Sequence, residues 1–267
     1  MKYCFSVALV AASSLLLSAS PGYAQKYLKA MDTFRRSEFL ENYILPIPTN
    51  PSNPVLDVKS PEMMCRAGNF TLGTQKALEV TSNDVLYLSF DLDNRSANPT
   101  PLMKDKNIWG PCAVFMAPAK PVNGVHKWFK IYEYVGDKDA WCSETIISND
   151  GILAVPMKQF LKSDTYLVRA EVIGLNMAEK TNTQDPLMGP QFYPSCGLVK
   201  YTNTDGSVMP NGVPVGVPFP GYYKEGHSAL KLDIMTTTAL SYISKMALLG
   251  PPEYDPPAIA HDGSNIA

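Results

Sequence analysis

Tyr166-Leu167-Val168-Arg169-Ala170-Glu171-Val172 is the stretch on which the fold turns. Tyr166, Val168, Ala170 and Val172 alternate with Leu167, Arg169 and Glu171, as in a strand, because successive side chains of an extended chain point to opposite faces. The same period recurs elsewhere. Leu86, Leu88, Phe90 and Leu92 alternate with Tyr87, Ser89 and Asp91 behind a Ser82-Asn83-Asp84 turn, the pattern of a strand with one buried face. Phe129 and Ile131 alternate with Trp128, Lys130 and Tyr132. Clusters of Pro, Gly, Asn and Ser separate these runs at 45–54, 97–107, 118–124, 182–195 and 209–221. Long helical patterns are lacking, and only 240–249 reads as a helical stretch. Short strands joined by long proline-rich connections predict an all-β chain folded as a two-sheet sandwich whose loops carry the function.

The chain has 267 residues, 45% hydrophobic and 18% charged, with 23 prolines and a formal net charge of -2. That suits one globular domain with a substantial core and excludes disorder over the whole length. The 23 Lys and Arg are scattered and outnumbered by 25 Asp and Glu. No basic stripe can track a phosphate backbone, so nucleic acid is not expected as a partner. Lys2 precedes an apolar run from Cys4 to Leu17, and Gly22-Tyr23-Ala24 places small residues at the positions that signal cleavage requires. We expect a signal peptide at 1–24, a mature domain at 25–254 that begins with Gln25, and secretion to the extracellular space. The run is about 14 residues, short of the roughly 18 that a spanning helix needs, so no membrane partner is expected. Residues 255–267 read as a polar, proline-rich, flexible tail.

Removal of the signal leaves Cys65, Cys112, Cys142 and Cys196, an even number in an oxidising compartment. Two disulfides follow, in any of three connectivities. Gaps of tens of residues lack the close ligand spacing of a zinc or copper thiolate site. Asn69-Phe70-Thr71 and Asn94-Arg95-Ser96 make Asn69 and Asn94 acceptors for glycans in a eukaryotic host.

Several segments, taken together, resemble one known family, the fungal AA9 lytic polysaccharide monooxygenases. Residues 53–60, Asn-Pro-Val-Leu-Asp-Val-Lys-Ser, closing on Cys65, are similar to that family's approach to its first disulfide. Trp109-Gly110-Pro111 falls where the family has His-Gly-Pro. Trp128-Phe129-Lys130-Ile131 resembles a strand motif, and the run from Thr165 to Leu175 resembles Gly-Tyr-Leu-Leu-Arg-His-Glu-Ile-Ile-Ala-Leu. Gln191-Phe192-Tyr193-Pro194-Ser195-Cys196 matches Gln-x-Tyr-Pro-x-Cys directly. Phe219-Pro220-Gly221-Tyr222-Tyr223, Leu240-Ser241-Tyr242 and Gly250-Pro251-Pro252 complete the order. The resemblance implies an immunoglobulin/fibronectin-like β-sandwich with long loops, a Cys65–Cys196 bridge and, with it, a Cys112–Cys142 bridge.

In that family the chemistry depends on copper held by the amine and imidazole of an N-terminal His and by the His of His-Gly-Pro. Here those positions are Gln25 and Trp109. An amide side chain offers no imidazole lone pair and an indole N–H only donates, so neither replaces its imidazole and no copper cofactor is expected. Packed indole also fills the space a metal would need. Asn176 stands where the family has a further His, while Gln191 and the axial tyrosine, Tyr193, remain. His126, His227 and His261 match none of these positions, and Met63-Met64 beside a strand cysteine reads as core. Asp137, Asp139 and Glu144 read as a solvated loop because nothing in their spacing makes them converge as a glycosidase pair.

The resemblance therefore implies a secreted, monomeric protein with a degenerate copper site that binds a polysaccharide such as cellulose or another β-glucan. Tyr242 and Tyr223 are the expected stacking residues for sugar faces. Two alternatives remain. One is a copper-dependent monooxygenase that oxidatively cleaves cellulose; the other is a cell-wall or host-interaction protein that displays its loops. Residues 183–188 look inserted relative to shorter family members and are expected to cover the site.

Overall fold

The structure, a computed structural model, describes residues 27–33, 43–47, 53–66, 72, 75–91, 109–137, 140–206, 208, 214–234 and 241–242. The expected signal peptide, Gln25, the sequons at Asn69 and Asn94, the 97–107 cluster and the tail lie outside these residues. Among the described residues, eight strands form two sheets. A three-stranded sheet contains β1 (Tyr27–Asp32), β3 (Val85–Asp91) and β6 (Ile152–Pro156), in the order β1-β3-β6. A five-stranded sheet runs β2-β8-β7-β4-β5, from β2 (Leu78–Thr81) through β8 (Gln191–Thr202), β7 (Asp164–Gly174) and β4 (Cys112–Pro118) to β5 (Phe129–Tyr134). All neighbours are antiparallel except β2, which runs parallel to β8. This is the two-sheet β-sandwich that the alternating runs predict, of the immunoglobulin-like kind that the resemblance implies.

Between the sheets, Leu86, Leu88 and Phe90 of β3 and Leu153 and Val155 of β6 meet Val114 and Met116 of β4. Tyr166, Val168, Ala170 and Val172 of β7 complete this layer. Each such apolar side chain contributes about 1.5–3 kcal/mol by leaving water. The turn before β3 forms as its residues predict, with the Asp84 carboxylate accepting from the Thr81 amide at 2.6 Å.

A second core lies outside the five-stranded sheet. The other face of that sheet, through Phe115, Leu167, Ile173, Phe192 and Leu198, is packed beneath loop residues such as Val55, Phe219 and Leu230 and beneath Met63 and Tyr242 of short helical turns. Both faces of β7 are consequently buried, including Arg169 and Glu171. One disulfide serves each core: Cys65–Cys196 pins a loop onto the outer face of β8, and Cys112–Cys142 ties β4 to the α-helix α1 (Cys142–Ser148). Glu144 caps α1 by accepting from the Trp141 amide at 2.8 Å.

Two details differ from expectation. The 182–195 cluster is not all loop, because β8 begins at Gln191. Pro194 is tolerated inside that strand for a geometric reason. Phe192, two residues earlier, exchanges both backbone hydrogen bonds with Val55 rather than with β7, so Pro194, of the same parity, also turns its missing N–H away from β7. Of the expected 240–249 helical stretch only Ser241 and Tyr242 are described, and both are helical.

Candidate functional site

Trp109, Asn176, Gln191 and Tyr193 come together at one end of the five-stranded sheet. The segment before β4 runs beside the end of β7: the Ile173 amide donates to the Pro111 carbonyl at 3.0 Å and the Leu175 amide to the Trp109 carbonyl at 2.9 Å. Gly110 is required for this approach, since a Cβ there would lie 1.8 Å from the Ile173 carbonyl oxygen. On the other side of β7, Gln191 pairs with Gly174 and Tyr193 with Val172. The Trp-Gly-Pro and Gln-x-Tyr motifs, far apart in sequence, thus flank the same strand end.

Their polar groups are engaged in two separate pairs. Asn176 Oδ1 accepts from the Trp109 backbone amide at 2.7 Å. The Trp109 ring packs against the outer core, and its Nε1 is buried with no hydrogen-bond acceptor. Tyr193 is fully buried and donates its hydroxyl to Gln191 Oε1 at 3.2 Å. The side chains at these four positions supply an indole donor, amide groups and one phenol, and no imidazole.

Arg66 adds a charge that sequence reasoning did not identify. It follows Cys65, is 2% exposed, and its guanidinium carbon stands 5.6 Å from the centroid of the Tyr193 ring. Burial lowers its pKa to about 10, against opposing contributions from Tyr193 and Glu62, so it remains cationic at neutral pH. No periodic or motif signal marks Arg66; only the disulfide to β8 shows where its loop must go.

The expected stacking residues are not at a surface. Tyr242 is fully buried, in edge contact with Trp141 and hydrogen-bonded from its hydroxyl to the Ala229 carbonyl. Tyr223 is 3% exposed, stacked on Phe192 at 5.3 Å, and donates to the Glu171 carboxylate. Desolvation pushes both phenols well above their ordinary value. Neither ring offers a face to a sugar, so the stacking role assigned to Tyr242 and Tyr223 is corrected. The outer core, which alternation alone does not reveal, has absorbed them. Tyr222, next in chain, is only partly buried.

The loop joining β7 to β8 leaves from Asn176 and returns at Gln191. The Gly189 amide closes its neck on the Met177 carbonyl at 2.7 Å, and Glu225 accepts from the Thr183 amide at 2.9 Å. Residues 183–188 therefore belong to a hydrogen-bonded loop anchored to the 219–225 segment, with Leu187 77% exposed.

Comparison with known proteins gives a consistent picture. The model of Auxiliary Activity family 9 (formerly GH61) matches residues 21–242. The chain is 30% identical over 219 residues to an AA9 family lytic polysaccharide monooxygenase A of Aspergillus tamarii, covering 82% of this chain and 54% of that protein. It is 29% identical to an AA9 family lytic polysaccharide monooxygenase A of Armillaria gallica, covering 76% of each. The chain spans little more than half the length of its Aspergillus tamarii and Aspergillus flavus relatives. The solved structure of CvAA9A superposes with a TM-score of 0.67 at 22% identity, over 86% of this chain and 96% of that one.

Proposed function

Because the chain belongs to Auxiliary Activity family 9, we propose that it is a member with a degenerate copper site: an extracellular, monomeric protein that binds a β-glucan such as cellulose and does not oxidise it. One observation carries this reading. Trp109 holds the position of a copper-binding imidazole in the family resemblance, with its indole nitrogen a buried donor. A nitrogen whose lone pair belongs to the ring π-system cannot ligate a metal. Asn176 supports the reading, because its amide oxygen is already committed to the Trp109 backbone. We read this donor set as unfit for copper, which favours imidazole nitrogen ligands in both oxidation states, and derive no step through the ion.

Glycan contact on this reading falls to the partly exposed Tyr222 and to the loops beside it, through apolar and CH–π contact that needs no metal. Extracellular location rests on the expected signal peptide. Titrating Cu(II) into the correctly processed protein, with pull-down on cellulose, xylan and chitin, tests both halves. We expect no submicromolar copper binding and weak retention on at least one polymer. Submicromolar copper together with oxidised oligosaccharides overturns the proposal.

A second reading, a copper-dependent lytic polysaccharide monooxygenase that cleaves cellulose oxidatively, is favoured by a specific feature. Tyr193 and Gln191 of the Gln-x-Tyr motif are retained and hydrogen-bonded to each other at 3.2 Å. The same copper titration separates the two readings.

A further inference from the structure

The hairpin that joins β4 to β5 lies at the end of the five-stranded sheet remote from Trp109 and Tyr193, because β4 starts near Trp109 and runs away to Pro118. Its tip is a two-residue turn. Val122 and Val125 exchange backbone hydrogen bonds at 3.1 and 3.0 Å around Asn123 (φ 51°) and Gly124 (φ 75°), a geometry that suits Asn-Gly and the twist of antiparallel strands. A second arm, 214–220, is locked to the hairpin. Val217 exchanges both backbone bonds with Trp128 at 2.8 Å, and a Cβ on Gly216 would lie 2.5 Å from the Lys127 carbonyl carbon. Between the arms runs a cleft of about 380 Å³ whose walls include Val122, Val125, Pro214 and Val215. Past Val125 and His126 it continues into a depression of about 630 Å³ lined by Met64, Pro218 and Phe219.

Val215 is 92% exposed, Val122 61% and Val125 42%, three of the five large apolar side chains that are exposed among the described residues. Apolar surface gathered around a groove marks a binding face, and walls whose backbone is already fixed lose little freedom when a ligand arrives. Lys120 and Lys127 line the same cleft, both exposed, and neither forms an ion pair among the described residues. Among those residues no carboxylate lines the cleft or the depression. The groove is therefore locally positive on a chain of net charge -2. A sugar face stacks on exposed aromatic rings, but the only ring lining the cleft is the His126 imidazole, which donates from Nδ1 to the Pro118 carbonyl at 3.1 Å. Phe219 in the depression is 5% exposed. Aliphatic walls match aliphatic side chains instead. We propose that this groove docks an acidic, extended peptide segment of a partner protein, with aliphatic side chains against Val122, Val125 and Val215 and carboxylates beside Lys120 and Lys127. Burial of the aliphatic groups supplies the affinity, and the lysines select the sign of the partner's charge. The proposal is independent of the state of the copper site, which lies at the other end of the sheet.

The test uses the full mature chain and fluorescently labelled, end-blocked peptides, read by anisotropy at low salt. The first is Glu-Val-Pro-Glu-Val-Pro-Glu; the second has Lys for each Glu, and the third has Ser for each Val. The first should bind with a Kd below about 1 mM, and the other two about tenfold or more weaker. In Lys120→Glu/Lys127→Glu the charge preference should reverse, so that the lysine peptide binds more tightly than the glutamate peptide. Val215→Ser should weaken the glutamate peptide by about threefold or more, because an apolar contact is lost. All three substituted side chains are exposed, and unchanged thermal melting checks that both variants fold. Absence of binding by the glutamate peptide at about 1 mM overturns the proposal, as does binding that both variants leave unchanged. Polygalacturonate held more tightly than the peptide and released by Lys120→Glu/Lys127→Glu would give the groove to an acidic polysaccharide, which also overturns it.

Discussion

On its inner face β7 presents Tyr166, Val168, Ala170 and Val172 to the opposing sheet; on its outer face Leu167, Arg169, Glu171 and Ile173 meet loops. The inner side is held by non-directional burial between regular strands whose backbone groups are already paired. Loops bring unpaired carbonyls with them, and buried carbonyls must find donors. Arg169 meets that need on the outer side. It donates to Met63 and Met64, bridges Glu171 at 2.8 Å with both partners fully buried, and lies 4.0 Å from the Phe219 ring centroid. Glu171 in turn accepts from Tyr223. A sheet against a sheet needs only shape and hydrophobicity, whereas loops against a sheet need a polar clamp.

The two disulfides give the sharpest way to break this contrast, because one lies in each core. Closing a loop of about 131 residues restricts the unfolded chain by about 5 kcal/mol, and closing one of about 30 residues by about 3.6 kcal/mol. Cys65→Ala/Cys196→Ala is therefore expected to lose more stability than Cys112→Ala/Cys142→Ala, measured by denaturant unfolding. The reverse order would mean that burial around the inner bridge outweighs loop closure.

Next in size is the clamp. Arg169→Met strands a buried carboxylate and two carbonyls, and removing one member of a buried pair costs about 3–5 kcal/mol. Arg169→Met/Glu171→Leu should cost less than the single substitution, since it removes the uncompensated charge with its partner. A double variant at least as unstable as the single one would show that the carbonyl contacts, and not the ion pair, carry the clamp. The same unfolding curves decide this.

The two cores differ in what holds them, and also in how visibly the sequence announces them. The inner core is written as period-two alternation in 86–92 and 166–172, and the turn at 82–84 stops the chain where the structure does. The cover of the outer core has no period, because the residues laid over the sheet there come singly from the segments outside the strands: Val55, Met63, Phe219, Leu230. Alternation therefore assigned Arg169 and Glu171 to the unspecified face of β7, and nothing in the local pattern said that loops bury them. The family resemblance puts Tyr223 and Tyr242 at a sugar-binding face, and nothing in the local pattern says that this core buries them. At the candidate site, Trp109, Asn176, Gln191 and Tyr193, which the motif order singles out, lie around one strand end. Arg66 escaped notice because its proximity to Tyr193 depends on the path of the loop after Cys65, which no motif records.

A smaller effect sharpens the distinction between a ring placed for packing and one placed for binding. Tyr242→Phe removes only the hydroxyl bonded to the Ala229 carbonyl, a loss of about 1–2 kcal/mol. Stability by thermal melting should fall by that amount, while retention on cellulose should stay unchanged. Tyr222→Ala should do the opposite, lowering retention with little loss of stability. Loss of retention in Tyr242→Phe would return that ring to the surface role.

The smallest expected effect concerns the loop between Asn176 and Gln191 rather than either core. Hydrogen bonds from Thr183 hold the Glu225 carboxyl below its ordinary value. Since its folded pKa is depressed, its contribution to anchoring the loop is complete above the unfolded carboxylate pKa, about 4.3, and disappears as the pH falls through the folded value. Glu225 is fully exposed, so global stability should hardly register this change, and the proper readout is local. Hydrogen exchange at the Thr183 amide should lose protection on acidification while amides of β7 and β8 do not. In Glu225→Gln the neutral amide oxygen still accepts from Thr183, and the pH dependence should flatten. Were Thr183 protection equally pH-dependent in that variant, a different acid would anchor the loop. Parallel loss of protection in the strands would mean that the loop and the sandwich open as one cooperative unit.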